Sequence, residues 1–530
     1  MNKVLLLMKN YFTCFFSRLF KNNKNKKATK AVLPIVLVVS IIFVAFFAFL
    51  SYYSIISLKD TNRYLPIYSF STTAIMFSLM IIATEGTAGG RSNDEEMLLA
   101  MPIAKYQIIL SKILYYFLFD LLIMVLLLFP SYIIYGVVVE DVSASLVARG
   151  FILIVCLSLF ANGVSGILNT IFVRFTKKFK HQALIQSLLS LLLVIIFIII
   201  YVGFTLVSQN AEFATKIYDF YPIKLFSEFV IEGAISTVLI VFALGFLPFM
   251  LSVVLKTVCF GKTVNSYHSN DLELKFKQSS VSGSLLKKEI KKYFSIPVYV
   301  TNTLIGLVFA IGILIVITIM GKENFVSIIQ MVIAAGYENN QMPPSIEEMI
   351  TGYFSYILMI VCLFSVATMP TTSCSISIEG KEMWILKAHP ISEKSVFLSK
   401  IKANICINFF PILLISILMG INFGALYFMV GLIVLLFATV LSSNIGLYAN
   451  LQFPKLDWES EIEPVKQGMS VLVTMMLNIL FVIVPAIGFF FISGISTLSY
   501  LVILALIYVA FIFIWSFVLV TKGVKLYRNI

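Results

Sequence analysis

The chain has 530 residues, 60% of them apolar and only 12% charged, with a mean hydropathy of +0.99. Soluble domains are about 45–50% apolar and about 25% charged, so these figures exclude a string of soluble domains, and with it disorder, collagen, a coiled coil and a small disulfide scaffold. The formal charge of +13 would suggest nucleic acid in a soluble protein, whereas in a membrane protein basic residues gather in cytoplasmic loops and report orientation instead.

A helical span needs about 20 mainly apolar residues. Twelve stretches meet that need, at about 31–55, 65–84, 108–136, 150–173, 183–207, 234–258, 297–320, 351–371, 397–420, 425–448, 469–493 and 497–520. They are expected to be helices, because an open strand in lipid leaves backbone groups unpaired. An even number of spans puts both termini on one side. Of the 39 basic residues, 33 fall in the segments on that side and 6 (Lys59, Arg63, Arg149, Lys216, Lys224, Lys322) in the opposite loops, so both termini are expected in the cytoplasm. The opening residues do not read as a secretory signal, since the basic cluster from Lys21 to Lys30 follows the apolar run. Leu5, Met8, Phe12, Phe15, Phe16 and Leu19 share one helical face, the pattern of a helix lying in the inner interface. None of the six cysteines falls in an outer loop, so no disulfide framework is expected.

The chain repeats itself. Met8–Thr13 resembles Ile290–Ser295, each on a basic amphipathic stretch ahead of a first span. Glu85-Gly86 and Glu379-Gly380 follow the second spans, and both loops then reach a Leu-x-Ala-x-Pro-Ile, at Leu98 and at Leu386. From Pro102/Pro390 to Ile113/Ile401, six of twelve positions are identical. The order of these matches predicts an all-α polytopic membrane protein of about 12 transmembrane helices, built as two tandem parallel six-helix repeats with an amphipathic helix before each. The halves are then 1–258 and 284–530, joined by a polar cytoplasmic linker at 259–283.

With these features the chain resembles the membrane subunits of ABC-2 type (ABCG-like) exporters, in the long bacterial form with two fused six-span halves. The Phe453-Pro454-Lys455-Leu456-Asp457-Trp458 segment also looks like that subfamily. The first loop departs from the second by about six inserted residues near Gly89, Gly90 and Arg91. The resemblance implies a permease in the bacterial cytoplasmic membrane that moves a hydrophobic or amphipathic cargo (peptide, lipid or drug) outward through a cavity between its halves. It also implies a cytoplasmic ABC ATPase subunit as partner, two copies per fused chain, and no nucleic acid. No GxxxxGK[ST] occurs: Gly261-Lys262-Thr263 has the tail of a P-loop, but Lys256 stands where the first Gly should be. The chain is therefore expected not to be an enzyme and to bind no cofactor itself, with ATP and Mg held by the partner.

In that family the loop between spans two and three forms a coupling helix that docks on the ATPase. Carried onto this sequence, the coupling residues are Asp94, Glu95, Glu96, Leu98 and Pro102 in the first half, and Glu379, Lys381, Glu382, Trp384, Leu386 and Pro390 in the second. The acidic Asp94–Glu96 run suits a helix start and Pro102 limits its end. An ordinary capped interfacial turn has the same pattern.

Asp120 is the one carboxylate well inside a predicted span. It fits either a cation or proton site, the basis of an alternative reading as an ion-coupled secondary transporter, or an interhelical hydrogen bond. Asn162, Asn169, Asn408 and Asn444 are the other candidates for a substrate pathway, and interhelical glue is their competing role. Lys112, Lys400 and Lys402, near cytoplasmic ends, are expected to snorkel to the interface. The three histidines are too scattered for a metal site, and no catalytic constellation is present.

Overall fold

A computed structural model describes residues 2–20, 101–139, 144–176, 221–233, 235–259, 280–334, 344–368, 370–458, 461–466, 468–491 and 495–530, with scattered positions of 41–98 and 179–196. Of its described residues 91% are helical, with no strand among them. Nine described helices are long and apolar enough to cross a membrane, and each overlaps one of the expected spans. The expected spans at 31–55 and 65–84 lie largely outside the described residues, and that at 183–207 lies about half outside them.

The chain divides into two compact units. The first comprises Met1–Gly89, Asn93–Lys180 and Leu192–Asn270, and the second Gly90–Ser92, His181–Leu191 and Asp271–Ile530. In the first unit, α1 (Asn2–Phe20) lies against α2 (Lys105–Val138). Leu7 of α1, Leu98 and Ile108 of α2 are buried together, and Lys3 Nζ donates to the Pro102 carbonyl at 2.9 Å. The helices α3 (Ala144–Thr176) and α5 (Ile235–Cys259) approach closely, flanked by the short α4 (Tyr221–Ile231). Gly163 permits this: a Cβ there would stand 2.4 Å from the Phe249 backbone nitrogen. Close backbone approach over small residues is a common packing device in lipid, where helix association gains little from hydrophobicity.

The second unit opens with α6 (Val281–Ser295), capped by Ser280, whose hydroxyl accepts from the Gly283 amide at 3.2 Å. Pro297 then begins α7 (Pro297–Met320) at the one helical position where its missing N–H costs nothing. After α8 (Lys322–Ala334) and α9 (Pro344–Ala367), two short 3-10 segments (Thr371–Ser373 and Ser377–Glu382) lead into α10 (Met383–Ala388). The remaining helices are α11 (Glu393–Phe423), α12 (Ala425–Gln452), α13 (Ile462–Lys466), α14 (Met469–Phe490) and α15 (Thr497–Val518), followed by a π turn and α16 (Val524–Asn529). A single residue, Gly424 at φ +103°, joins α11 to α12.

The core of this unit gathers Leu314, Met359, Ile415, Leu435 and Leu504, while Ile319, Phe410, Phe513 and Phe517 point outward. Large apolar side chains turned outward on long apolar helices are what a lipid solvent calls for. Pro485 inside α14 shows how a break is repaired there. Having no N–H, it leaves the Phe481 carbonyl without its helical donor, and the Tyr508 hydroxyl of α15 donates to that carbonyl at 3.1 Å.

Candidate functional site

The loop between α9 and α11 is anchored by a bent segment, Pro370 to Glu382, which follows α9 and carries α10. Its Thr-Thr-Ser-Cys-Ser-Ile-Ser run is buried throughout, yet its backbone is not α-helical, so its amides and carbonyls need partners from elsewhere. Polar side chains of the neighbouring long helices supply them. Asn404 Oδ1, from α11, accepts from both the amide and the hydroxyl of Thr371, at 2.9 and 2.8 Å. Asn450 Oδ1, near the end of α12, accepts from the amides of Ile376 and Ser377, at 2.7 and 3.0 Å. The Asn450 amide group donates to the hydroxyls of Ser377 and Ser470, at 2.7 and 3.0 Å. Thr372 donates to the Ser443 carbonyl at 2.9 Å, and the Trp458 indole to the Ser377 carbonyl at 2.7 Å.

Gly380 makes the sharpest bend, at φ +55° and ψ −136°, a conformation open essentially to glycine alone. The Trp458 ring covers it so closely that a Cβ would lie 2.9 Å from the indole nitrogen. Thus the Glu379-Gly380 pair of the sequence has two distinct tasks, the turn at Gly380 and a buried charge at Glu379.

Glu379 is only 3% exposed and sits among three ammonium groups. Lys288 and Lys292 reach it from α6 at 2.7 and 2.9 Å, and Lys400 reaches it from α11 at 2.9 Å. Lys400 also donates to Glu289 Oε1 at 2.9 Å and to the Ser375 carbonyl at 3.0 Å. An ammonium has three hydrogens, and here all three are used. The expectation that Lys400 snorkels to the interface is corrected: its side chain has no exposure, because two carboxylates and a carbonyl replace water around it. Lys402, in contrast, is exposed. Desolvating so many charges is costly, and the cluster tolerates it because each buried charge meets an opposite one; removal of one partner from such a site typically costs about 3–5 kcal/mol.

The other residues expected in this loop divide by burial. Leu386 is buried with Met383 against Ile376, Val396 and Phe397. Lys381, Glu382, Trp384 and Pro390 are exposed, Trp384 to 66%, and beside it Ile385 is exposed to 42%. A short helix is therefore presented with an aromatic and an aliphatic side chain outward, while its inner face is fixed. In the first loop, Asp94, Glu95 and Glu96 lie outside the described residues, Leu98 is buried against Leu7 and Ile108, and Pro102 is exposed.

The intramembrane candidates are described within their own units. Asp120 is buried and accepts from Asn162 Nδ2 at 2.9 Å, linking α2 to α3. Asn408 donates to Asn404 Oδ1 at 3.1 Å, and Asn444 to the Ser516 hydroxyl at 2.9 Å. Asn169 Oδ1 is buried with no hydrogen-bond partner. Among the described residues no group of His, Cys, Asp and Glu is arranged to hold a metal ion.

Sequence reasoning missed the Glu379–Lys400 cluster and the service that Asn404 and Asn450 give to the bent backbone. A polar residue in a span followed by a Gly-containing, hydroxyl-rich break in the neighbouring span was the available signal. No family model, curated protein or solved structure matches this chain.

Proposed function

We propose that this chain is the transmembrane subunit of an ATP-driven exporter of the ABC-2 type, moving a hydrophobic or amphipathic cargo with a separate cytoplasmic ATPase. The observation that carries the proposal is the rigid mounting of α10. Its exposed Trp384 and Ile385 offer a partner an apolar contact, and its root is tied at Glu379 to α6 and α11 and at Ser377 to α12. A push on α10 would pass into long apolar helices without a slack joint, as a subunit driven from outside the membrane requires. The repeated loop motif and the amphipathic helix leading each half support the same reading, since α1 lies on α2 as α6 lies on α11. The hydrogen bond that Asp120 accepts from Asn162 supports the interhelical of the two roles that its position allows.

The test is to tag the full chain, extract it in mild detergent from its native membrane, and identify and count what comes with it. A soluble subunit bearing P-loop and signature motifs, retained by the wild type and lost from a Trp384→Ala/Ile385→Ala variant, is the expected result. A chain that purifies alone, yet moves cargo down an ion gradient without ATP, would sink the reading.

A further inference from the structure

The helix α6 has three faces, and the ion cluster uses one. Leu285 and Tyr293 are buried, and Lys288, Glu289 and Lys292 flank them in the cluster. A second stripe, Leu286, Ile290 and Phe294 at four-residue spacing, is half-buried. The third face carries Lys287 and Lys291, both exposed and with no ion-pair partner among the described residues. The helix ends at Ser295, two positions before the 24-residue apolar helix that begins at Pro297. A place next to a candidate span suits a membrane interface, where an apolar stripe beside a basic stripe meets acyl chains on one side and headgroups on the other.

We propose that this outer side of α6 is a binding surface for an anionic phospholipid, with Lys287 and Lys291 on the headgroup phosphate and Leu286, Ile290 and Phe294 against the first acyl carbons. Charge complementarity selects the occupant. Two lysines four residues apart share one side of a helix, and neither has an ion-pair partner among the described residues, whereas Lys288 and Lys292 of the same helix are paired. A water-soluble anion would satisfy the lysines but leave the adjoining apolar stripe bare, whereas a phospholipid covers both. The same helix holds Glu379 through Lys288 and Lys292, so a lipid seated on it braces the anchor of α10. The inference needs only that the chain lie in a bilayer and is independent of the exporter reading.

The experiment uses the full chain in dodecyl maltoside micelles, titrated with fluorescent phosphatidylglycerol or fluorescent phosphatidylcholine. The wild type is expected to bind phosphatidylglycerol on the order of tenfold more tightly, the size expected of two lysines at an anionic surface. Lys287→Gln/Lys291→Gln should bring the preference close to unity, while Lys287→Arg/Lys291→Arg and a control at the exposed Lys522→Gln/Lys525→Gln should keep it. Because these side chains are exposed, the variants are expected to elute and melt like the wild type. A glutamine double variant that melts normally yet keeps the preference overturns the proposal. So does a wild type that shows no preference, or one whose preference is abolished by millimolar inorganic phosphate, which would mark a free-anion site.

Discussion

Lys400 Nζ lies 2.9 Å from Glu379 Oε1, with the lysine side chain wholly withdrawn from solvent. The pair joins the bent segment before α10 to the long helix after it, and Glu289 and the two lysines of α6 complete the cluster. Coupling within such a group is measurable. Glu379→Gln alone and Lys400→Met alone should each lower stability, by less than the about 3–5 kcal/mol of a wholly unpaired buried charge, because Lys400 keeps Glu289 and Glu379 keeps Lys288 and Lys292. The Glu379→Gln/Lys400→Met double variant should cost less than the sum of its single changes by about 1–3 kcal/mol. Thermal unfolding of the detergent-solubilised chain reads this directly, and strictly additive losses would show that the two groups do not act together.

Gly380→Ala meets two obstacles at once, a left-handed backbone and the Trp458 ring. The strain is expected to be about 1–3 kcal/mol, and it should release the indole from the Ser377 carbonyl. Limited trypsin digestion at the exposed Lys381 and Lys387 should then be several-fold faster than in the wild type. Unchanged cleavage would mean that Gly380 is not what holds the bend.

For the buried Asp120–Asn162 contact, Asn162→Leu removes a hydrogen bond to a carboxylate and should lower stability by about 1.5–3 kcal/mol. Asp120→Asn preserves shape and hydrogen-bonding capacity, and on the proposed reading ATP-driven transport should survive it. Loss of ion-gradient-driven uptake in Asp120→Asn, with stability unchanged, would instead assign the residue to the ion-coupled alternative.

Glu461 offers a pH prediction outside the spans. Although its side chain is exposed, desolvation by the surrounding protein raises its carboxyl above the ordinary range, while the Lys292 ammonium pulls the other way. A carboxyl raised in the fold contributes its stability below its unfolded pKa and loses it as pH rises through the folded value. Glu461→Gln should therefore be stabilising at pH 8 and nearly neutral at pH 4, with thermal midpoints measured at both. A variant that is destabilised more at pH 8 than at pH 4 would reverse the sign and show that the charged form is favoured.

The described spans were legible because length and apolarity alone define a membrane-crossing helix, and no pattern finer than that was needed. The amphipathic helices at Asn2–Phe20 and Val281–Ser295 were equally open to reading. Lys400 was not. A lysine near the end of a span usually reaches water along its own stem, and the groups that hold it inward stand 21 and 111 positions earlier in the chain. The bend at Thr371–Gly380 was hidden for a related reason. Its threonines, serines and cysteine give no sharp signal in hydropathy, and the groups that satisfy its backbone, among them Asn404, Asn450, Lys400 and Trp458, come from distant parts of the chain.

Aligning Met8 with Ile290 sets Leu6, Leu7 and Asn10 of α1 opposite Lys288, Glu289 and Lys292 of α6. The first leading helix grips its loop through Leu7, in an oily contact with Leu98 and Ile108; the second grips through charge. Salt and heat act differently on these two clasps, and neither helix could stand in for the other: α1 grafted before Pro297 would strand Lys400 without its Glu289 partner. On the proposed reading, a stroke delivered equally to both loops would meet unequal resistance.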